Sequence, residues 1–221
     1  MKKEKPESLP QRRVYVRRRS RTTVAQARAL ERLDEYLLSS ASIEEAFGRT
    51  APVLVEIGFG NGNALAEFAS LNPEWNCVGV EVFRPGIGAL INRCEQQDIK
   101  NVRIVDGEGL TYLESIPDNS LDLIWVLFPD PWPKTRHHKR RLITREFAKV
   151  AAGKLKFEGK LAIATDWASY AEEIEEALGD VDALIGGIVK GTSDRITTKY
   201  EIRGIRLGHS VTEFEYVKRE S

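Results

Sequence analysis

The 221-residue sequence lacks the features of a membrane, secreted or metal-binding protein. It contains no run of eighteen apolar residues, which a membrane-spanning helix needs. Its charged N-terminus is not followed by the apolar segment of a secretory signal. Its two cysteines, Cys77 and Cys94, fall on predicted core elements and have no metal-ligand spacing. We therefore expect a cytoplasmic protein with reduced thiols and no bound metal.

Internal repeats are also absent, and the net charge is zero. The neutral total hides two cationic stretches. Residues 1–21 carry nine Lys and Arg against two Glu, and residues 134–145 carry six Lys and Arg and no acid, which leaves −13 on the rest of the chain. Cations concentrated on an acidic body indicate a polyanionic partner. The alternative is a solvated tail together with one exposed helix start.

Short apolar strands alternate with helices from Pro52 onward, after an amphipathic helix at residues 24–38. The apolar run 121–128 is typical of a central strand buried on both faces. The pattern predicts a doubly wound, mostly parallel sheet, whose ligands bind at the carboxyl ends of the strands. The predicted strands are 53–57, 77–82, 102–105, 121–128, 160–165, 183–189 and 212–218, and the later helices are 63–71, 85–97, 110–116, 144–157 and 168–178.

A glycine-rich turn follows the first predicted strand. Gly58, Gly60 and Gly62 come directly after this strand and open a helix. Glycine permits a tight turn and lets the backbone approach a ligand closely. The second predicted strand ends near Glu81, and an acid at this point reaches the ribose hydroxyls of a nucleotide-like cofactor. The turn therefore predicts such a cofactor at this edge of the sheet.

The charges around the turn favour a cationic ligand over a pyrophosphate. Asn63 stands where a dinucleotide-binding turn has its third glycine, and Glu56 would repel a diphosphate. S-adenosylmethionine carries an ammonium, a sulfonium and a ribose but no phosphate, so the acids favour it over NAD. A third acid, Glu108 or Asp106, can accept a hydrogen bond from the adenine amine. The alternative for Glu56 is a partner for the dipole of the following helix.

A proline-rich loop, Phe128–Lys134, follows the predicted central strand. Its three prolines stiffen it, and Asp130 lies between two of them, beside Trp132. An acid in a rigid loop at the end of a central strand faces the ligand crevice. We therefore expect Asp130 to act in the reaction. The alternative is a simple strand-ending turn with Asp as a turn residue.

Five segments together carry a family resemblance. They are VEIGFGNG (55–62), GVEVFRPGIGAL (79–90), IPDNSLDLIWVLFPDPWPKTRHHKRR (116–141), ATDWASYAE (164–172) and TKYEIRGIRLGH (198–209). On these motifs the chain, over about residues 50–218, resembles the bacterial tRNA (guanine-N7-)-methyltransferases. The proline-rich segment with its cationic extension and the last segment are highly specific, whereas the glycine-rich turn alone would not identify a family.

The resemblance implies the Rossmann-like class I methyltransferase fold, with a seven-stranded sheet, and S-adenosylmethionine as cofactor. It also implies that tRNA is methylated at N7 of a variable-loop guanine, position forty-six, giving 7-methylguanosine. The matched cofactor-binding residues are Glu56, Gly58, Gly60, Glu81, Glu108 and Asp130. Asp130 also matches the proposed catalytic acid. Family members often have Asp at the position of Glu108, and the longer arm here could shift the adenine contact toward Asp106 or the backbone.

The resemblance also implies which residues contact the substrate. These are Lys134, Asp166, Thr198, Lys199, Tyr200 and Glu201. The ring of Tyr200, a position where Phe also occurs, can stack on a base. The cationic segment, defined as Arg136, His137, His138, Lys139, Arg140 and Arg141, is expected to grip phosphates. Its paired histidines do not indicate a metal, because the neighbouring cations would repel one. Residues 1–23 are expected to be a flexible RNA-binding tail, and 24–221 the methyltransferase domain.

Guanine N7 has an exposed lone pair, so its attack on a sulfonium methyl needs no prior deprotonation. We expect catalysis to come from proximity, alignment and electrostatics, with Asp130 and Asp166 as candidates to stabilise the charge gained by the purine. Three alternatives remain: an amino-methyltransferase acting on DNA or protein, a non-catalytic RNA-binding protein, and a nicotinamide oxidoreductase. The protein is expected to be a monomer or a homodimer.

Overall fold

A single seven-stranded sheet lies at the centre of the computed structural model, which describes residues 22–38, 42–189 and 210–220. The strands are β1 (Val53–Ile57), β2 (Asn76–Glu81), β3 (Val102–Asp106), β4 (Leu121–Leu127), β5 (Leu155–Thr165), β6 (Leu184–Val189) and β7 (Thr212–Lys218). Their order is β3-β2-β1-β4-β5-β7-β6. Strands β1 to β5 pair in parallel, and β7 is antiparallel to both β5 and β6. The predicted mostly parallel sheet is therefore confirmed.

Helices cover both faces of this sheet. They are α1 (Val24–Leu30), α2 (Leu33–Tyr36), α3 (Ile43–Phe47), α4 (Asn63–Leu71), α5 (Arg84–Gln96), α6 (Gly109–Ser115), α7 (Arg145–Lys154) and α8 (Ala168–Gly179), with a 3₁₀ helix at Thr135–Arg140. Among the described residues, no helix has both the length and the apolar composition needed to cross a membrane.

Alternate residues of β1 belong to two separate apolar clusters. Val55 packs with Phe147 and Tyr170 on the face covered by α6, α7 and α8. Leu54 packs with Leu65 on the face covered by α1, α4 and α5. Successive side chains of a strand point to opposite faces of the sheet, so a strand in the middle is apolar throughout. This explains the continuous apolar runs in the sequence.

The structure corrects two of the predicted helices. The helix expected at 24–38 divides into α1 and α2, and the helix expected at 144–157 ends at Lys154. Leu155 is fully buried and pairs with Leu121, so it begins β5 two residues before the expected end of the helix. Burial in the sheet overrides the helical pattern of this short stretch. Neither α3 nor the 3₁₀ helix was expected from the sequence.

The topology brings five loops to one edge of the sheet. Since β1 to β5 are parallel, all five end at the same edge. There the glycine-rich turn follows β1, the proline-rich loop follows β4, and Asp166 follows β5. The crossover after β1 leads to β2 on one side of β1, and the crossover after β3 returns to β4 on its other side. This edge is therefore the switch point of the sheet, where such folds bind ligands.

We predict that Gly86→Ala lowers the free energy of unfolding by about 1–3 kcal/mol, because it overfills a tight contact. A Cβ atom at Gly86, on α5, would lie 2.0 Å from the carbonyl oxygen of Gly60. Urea denaturation measures the change.

The matched control is Gly179→Ala at the end of α8, where a Cβ would meet nothing within 4 Å. It should leave stability unchanged or raise it by up to about 1 kcal/mol. Equal losses in the two variants would contradict a specific contact between α5 and the glycine-rich turn.

Candidate active site

The glycine-rich turn after β1 has the tight backbone that the sequence predicts. Gly58, Gly60 and Gly62 have φ angles of +75°, +56° and +67°. This left-handed region is one that residues with a Cβ rarely adopt. The Gly58 N–H donates to the Val80 carbonyl at 2.8 Å, and the Gly62 N–H donates to the Phe59 carbonyl at 2.8 Å. The turn is thus bonded to β2 at one end and begins α4 at the other.

The carboxylate of Glu81, at the end of β2, joins this turn to the next loop. One oxygen accepts from the Gly60 N–H at 2.8 Å, and the other accepts from the N–H groups of Val82 at 2.7 Å and Phe83 at 2.9 Å. Burial raises the pKa of Glu81, while these backbone hydrogen bonds oppose the rise and the nearby Asp130 adds to it. Glu81 therefore fixes the positions of the glycine-rich turn and of the loop after β2.

Glu56 is a buried acid that has no counter-ion within the described part of the chain. Its side chain lies in β1, and the residue is 3% exposed. Burial and the neighbouring Glu81 carboxylate raise the pKa of Glu56 to about 8, while the backbone N–H of Leu65 in α4 opposes the rise. Its Oε2 atom has no hydrogen-bond partner among the described residues. The contact with α4 fits the helix-dipole interpretation, but the unpaired oxygen leaves room for a further partner.

A cavity of about 730 Å³ opens between these loops. Its volume is in the range of small-molecule sites. Five of the predicted cofactor-binding residues line it: Gly58, Gly60, Glu81, Glu108 and Asp130. Glu56, the sixth, lies one residue before Ile57, which is also in the wall. The wall of the cavity thus contains acids that follow or end β2, β3 and β4, and the acid of β1, Glu56, lies directly beside it.

Of the two acids after β3, only Glu108 lines the cavity. One of its carboxylate oxygens accepts from the Thr111 N–H at 3.0 Å and from the Thr111 hydroxyl at 2.6 Å, which caps α6. Asp106 instead faces Arg84, with 3.5 Å between Oδ2 and Nε. This geometry favours Glu108 over Asp106 as the acid available to a ligand.

The proline-rich loop has two residues with unusual backbone angles. Phe128 has φ = +53° and Trp132 has φ = +44°. A hydrogen bond from the Phe128 N–H to the Ala164 carbonyl at 2.8 Å fixes the start of the loop against β5. Asp130 is exposed on the wall of the cavity, and Asp166 follows the neighbouring strand β5. The two candidate acids therefore extend from adjacent strand ends.

The cationic segment folds as the 3₁₀ helix Thr135–Arg140, at the rim of the cavity. Arg136 and Lys139 are exposed, as is Lys134 before them. The guanidinium of Arg140 lies 5.0 Å from the centroid of the Trp132 ring, and Arg140 also lines the cavity. Desolvation and the surrounding cations, of which Arg140 is the strongest, lower the pKa of His137.

Arg141 and His138 depart from the expectation that the whole segment faces RNA phosphates. The Arg141 side chain is 1% exposed and pairs with Glu173 of α8, with 2.7 Å between Nη1 and Oε2. Nδ1 of His138 lies 3.1 Å from the other oxygen of the same carboxylate. A guanidinium that is buried and paired in this way is not presented to a polyanion. The structure thus divides the six residues into an outward-facing and an inward-facing group.

Several other residues of the cavity wall have no individual role in the sequence-based predictions, and four of them are larger than glycine and lie outside the predicted strands and helices and the proline-rich loop. They are Thr22, Phe83, Arg84 and Leu142. Phe83 and Arg84 directly follow Glu81, so the strand-end argument could have included them, whereas Thr22 and Leu142 carry no local signal. The predicted substrate residues Thr198, Lys199, Tyr200 and Glu201, and the tail up to residue 21, lie outside the described residues. Within the described ranges, no three His, Cys, Asp or Glu side chains form a metal-type cluster.

Comparisons with known proteins agree with this geometry. A protein-family model described as "Putative methyltransferase" matches residues 50–214. The tRNA (guanine-N(7)-)-methyltransferase of Pseudomonas entomophila (strain L48) is 41% identical over 225 residues, covering 96% of this chain and 94% of the relative. The protein of the same name from Alkalilimnicola ehrlichii is 43% identical over 220 residues, covering 94% and 93%.

Solved structures show the same fold at low identity. An rRNA methylase from Streptococcus thermophilus has a TM-score of 0.55 at 12% identity, covering 91% of this chain and 100% of its own. A phosphoethanolamine N-methyltransferase of Haemonchus contortus, solved with S-adenosylhomocysteine, has a TM-score of 0.52 at 15% identity, covering 88% of this chain and 53% of its own. The Rossmann-like methyltransferase fold is therefore confirmed.

We predict that Glu56→Gln stabilises the protein increasingly as the pH rises. The pKa of Glu56 lies at about 8, above its ordinary 4.5. Its contribution to stability is fully present below the ordinary value and is lost as the pH rises through the folded value. Glutamine cannot ionise, so the difference in melting temperature between variant and wild type should grow between about pH 5 and about pH 9.

The control is Glu67→Gln, an exposed glutamate on α4. Its difference from wild type should not vary with pH. A pH-independent difference for Glu56→Gln as well would show that Glu56 ionises without penalty.

Proposed function

Because the chain belongs to the family of tRNA (guanine-N(7)-)-methyltransferases, we propose that it transfers a methyl group from S-adenosylmethionine to N7 of a guanine in tRNA. The finer part of the proposal is the target, the variable-loop guanine at position forty-six. The observation that carries the proposal is one cavity whose wall contains acids from three adjacent strand ends, with a cationic 3₁₀ helix on its rim.

The residues of the cavity fit this cofactor. S-adenosylmethionine, when bound, supplies an electrophilic methyl group on a sulfonium. Glu56, with a buried oxygen that has no partner among the described residues, would hold the ammonium group of its amino-acid moiety. Glu81 would face the ribose hydroxyls, and Glu108 would accept from the adenine amine. The backbone of Gly58 and Gly60 would allow the close approach that such a ligand requires.

Acids suit this ligand because its charges are positive. A carboxylate beside an ammonium gains Coulomb energy, and a cation next to Glu56 would favour the ionised form that burial disfavours. The same acids would repel a pyrophosphate. This argument, together with family membership, sets the nicotinamide oxidoreductase alternative aside.

Asp130 is proposed as the group that contacts the reacting base. Guanine N7 attacks with its lone pair, so the residues of the site have no proton to remove before methyl transfer. The purine becomes more positive during the reaction, and a fixed carboxylate stabilises that charge. The Asp130 carboxylate can also accept hydrogen bonds from guanine N1–H and its exocyclic amine. Asp166, on the adjacent strand end, is proposed as the second acid on the substrate side.

The RNA-binding surface is proposed to be the outward-facing cations at the rim. Lys134, Arg136 and Lys139 are exposed there, and Arg140 lies between this surface and the cavity. Cations beside the reacting base would bind phosphates and fix the register of the RNA. The basic residues 1–21 and the segment Thr198–Glu201 are proposed to add further tRNA contacts. Because its proposed substrate is tRNA, we also propose that the protein is cytoplasmic.

We predict that the protein incubated with bulk tRNA and methyl-labelled S-adenosylmethionine forms 7-methylguanosine, and that Asp130→Ala and Asp130→Asn lose most of this activity. The rate constant should fall by more than about tenfold, equal to about 1.4 kcal/mol of barrier. Nuclease digestion and chromatography of the labelled nucleosides measure the product.

The matched control is Asp118→Asn, since Asp118 is an exposed aspartate paired with Lys154 away from the cavity. It should act like wild type. A wild-type rate in both Asp130 variants would remove Asp130 from the reaction. A methylated exocyclic amine would favour the amino-methyltransferase alternative, and no methylation with intact tRNA binding would favour a non-catalytic RNA-binding protein.

We predict that the double variant Arg136→Ala/Lys139→Ala weakens tRNA binding and flattens its dependence on salt. Each lost phosphate contact should lower the slope of log affinity against log salt concentration by about 0.7–0.9. Filter binding at several salt concentrations measures it. Lys149→Ala, an exposed lysine on α7, is the control and should keep the wild-type slope. An unchanged slope in the double variant would exclude this surface from the RNA interface.

A further inference from the structure

Arg141 makes more internal contacts than its place in a cationic run would suggest. Its Nε donates to the Pro131 carbonyl at 2.8 Å, and its Nη1 lies 2.7 Å from Oε2 of Glu173. Its Nη1 and Nη2 also approach the carbonyl and hydroxyl oxygens of Ser169, at 3.4 and 3.5 Å. The guanidinium lies 4.7 Å from the centroid of the Tyr170 ring. All donor groups of the fork thus face protein.

These contacts join three parts of the site. Pro131 belongs to the proline-rich loop and immediately follows Asp130. Arg141 closes the 3₁₀ helix, where its own N–H donates to the His138 carbonyl at 2.8 Å. Glu173 lies on α8, the helix that follows β5 and Asp166. One side chain therefore links the loop of Asp130 to the helix next to the second acid.

Only an arginine can make this set of bonds. Its planar guanidinium presents Nε and both Nη groups in a fixed fork, and its flat face stacks on an aromatic ring. A lysine carries the same charge but offers one ammonium, which cannot reach the Pro131 carbonyl and the Glu173 carboxylate with the same geometry. Replacing Arg141 by Lys therefore separates charge from positioning.

We propose that Arg141, held by Glu173, is a positioning residue that fixes the Asp130 loop, and that it is not a phosphate contact. The inference rests on the proposed function, since it takes Asp130 as a group at the reacting base. A fixed carboxylate stabilises developing charge because it needs no rearrangement during the reaction. The loop carries the strained Trp132 backbone at φ = +44°, and the bond to the Pro131 carbonyl holds the residue just before it.

Replacement of Glu173 distinguishes the two possible roles of Arg141, phosphate contact and positioning residue. The two roles predict different effects on tRNA binding and on the turnover number. If Arg141 bound phosphate, removing the negative charge of Glu173 would strengthen tRNA binding and leave the turnover number unchanged. If Glu173 holds Arg141 in place, the same change lowers the turnover number and does little to tRNA affinity. The side chain of Glu173 is 43% exposed, so its replacement leaves no buried gap.

The test uses Arg141→Lys and Glu173→Gln in the full-length protein with tRNA and S-adenosylmethionine. We expect the turnover number to fall by about tenfold or more in Arg141→Lys and by several-fold in Glu173→Gln, because small displacements of catalytic groups have effects of this size. The Kd for tRNA and its salt slope should stay at wild-type values in both. The double variant should lose little more than Arg141→Lys alone, because the two residues act as one unit.

Arg32→Lys is the matched control. Arg32 also pairs with a glutamate, Glu95, through two hydrogen bonds, but the pair is partly exposed and remote from the cavity. This variant should keep the wild-type turnover number. Melting temperatures are measured for all variants, and kinetics are run well below the lowest of them, so that a loss of folding is not counted as a loss of turnover.

Three results would overturn the proposal. They are a wild-type turnover number in Arg141→Lys, tighter tRNA binding with unchanged turnover in Glu173→Gln, or an equal loss in the Arg32→Lys control. Each of these three results can be interpreted only if the wild-type protein forms 7-methylguanosine in the same assay. Failure of the wild-type protein to methylate tRNA would instead count against the proposed function itself, so the two failures are distinguishable.

Discussion

The carboxylate of Glu81 accepts hydrogen bonds from the backbone of Gly60, Val82 and Phe83. These bonds fix the glycine-rich turn against the end of β2 and set where α5 begins. A buried acid is costly unless its charge is satisfied, and here backbone donors offset part of the burial that raises its pKa. Glu56 lies nearby, and its Oε2 atom has no hydrogen-bond partner in the residues that the structure describes, so an acid held by backbone donors stands next to one that is not fully satisfied. Glu81 thus fixes the loops that shape the cavity, and the pair concentrates acidic side chains at this edge of the sheet.

Much of the fold and the site could be predicted because the signals are local. The apolar runs of β1 and β4 report burial on both faces, and the glycines at 58, 60 and 62 report a backbone that other residues rarely adopt. Parallel topology then places all the strand ends at one edge without further information. Glu81, Glu108 and Asp130 were expected at the cavity for this reason, and the structure places them in its wall.

What could not be predicted depends on contacts between distant segments. Leu155 looks helical beside α7, but its pairing with Leu121 draws it into β5. Arg141 resembles its cationic neighbours in sequence, yet Glu173, thirty-two positions later, turns it inward. A stretch of cationic residues identifies side chains that need water or a counter-ion. It does not identify which counter-ion each of them binds. Only the tertiary structure separates the arginines of such a run into those that face solvent and those that hold the chain together.

The order of the last strands has a consequence for how the protein is made. Strand β7 lies between β5 and β6, and among the described residues β6 pairs with β7 alone. During synthesis, β1 to β5 can assemble as soon as they leave the ribosome, but β6 emerges before the strand that connects it to the sheet. Until residues 212–218 are available, β5 is an open edge and β6 a strand without a sheet, and such edges are prone to pair with other chains. The edge of β5 is therefore covered only by the last strand of the described chain.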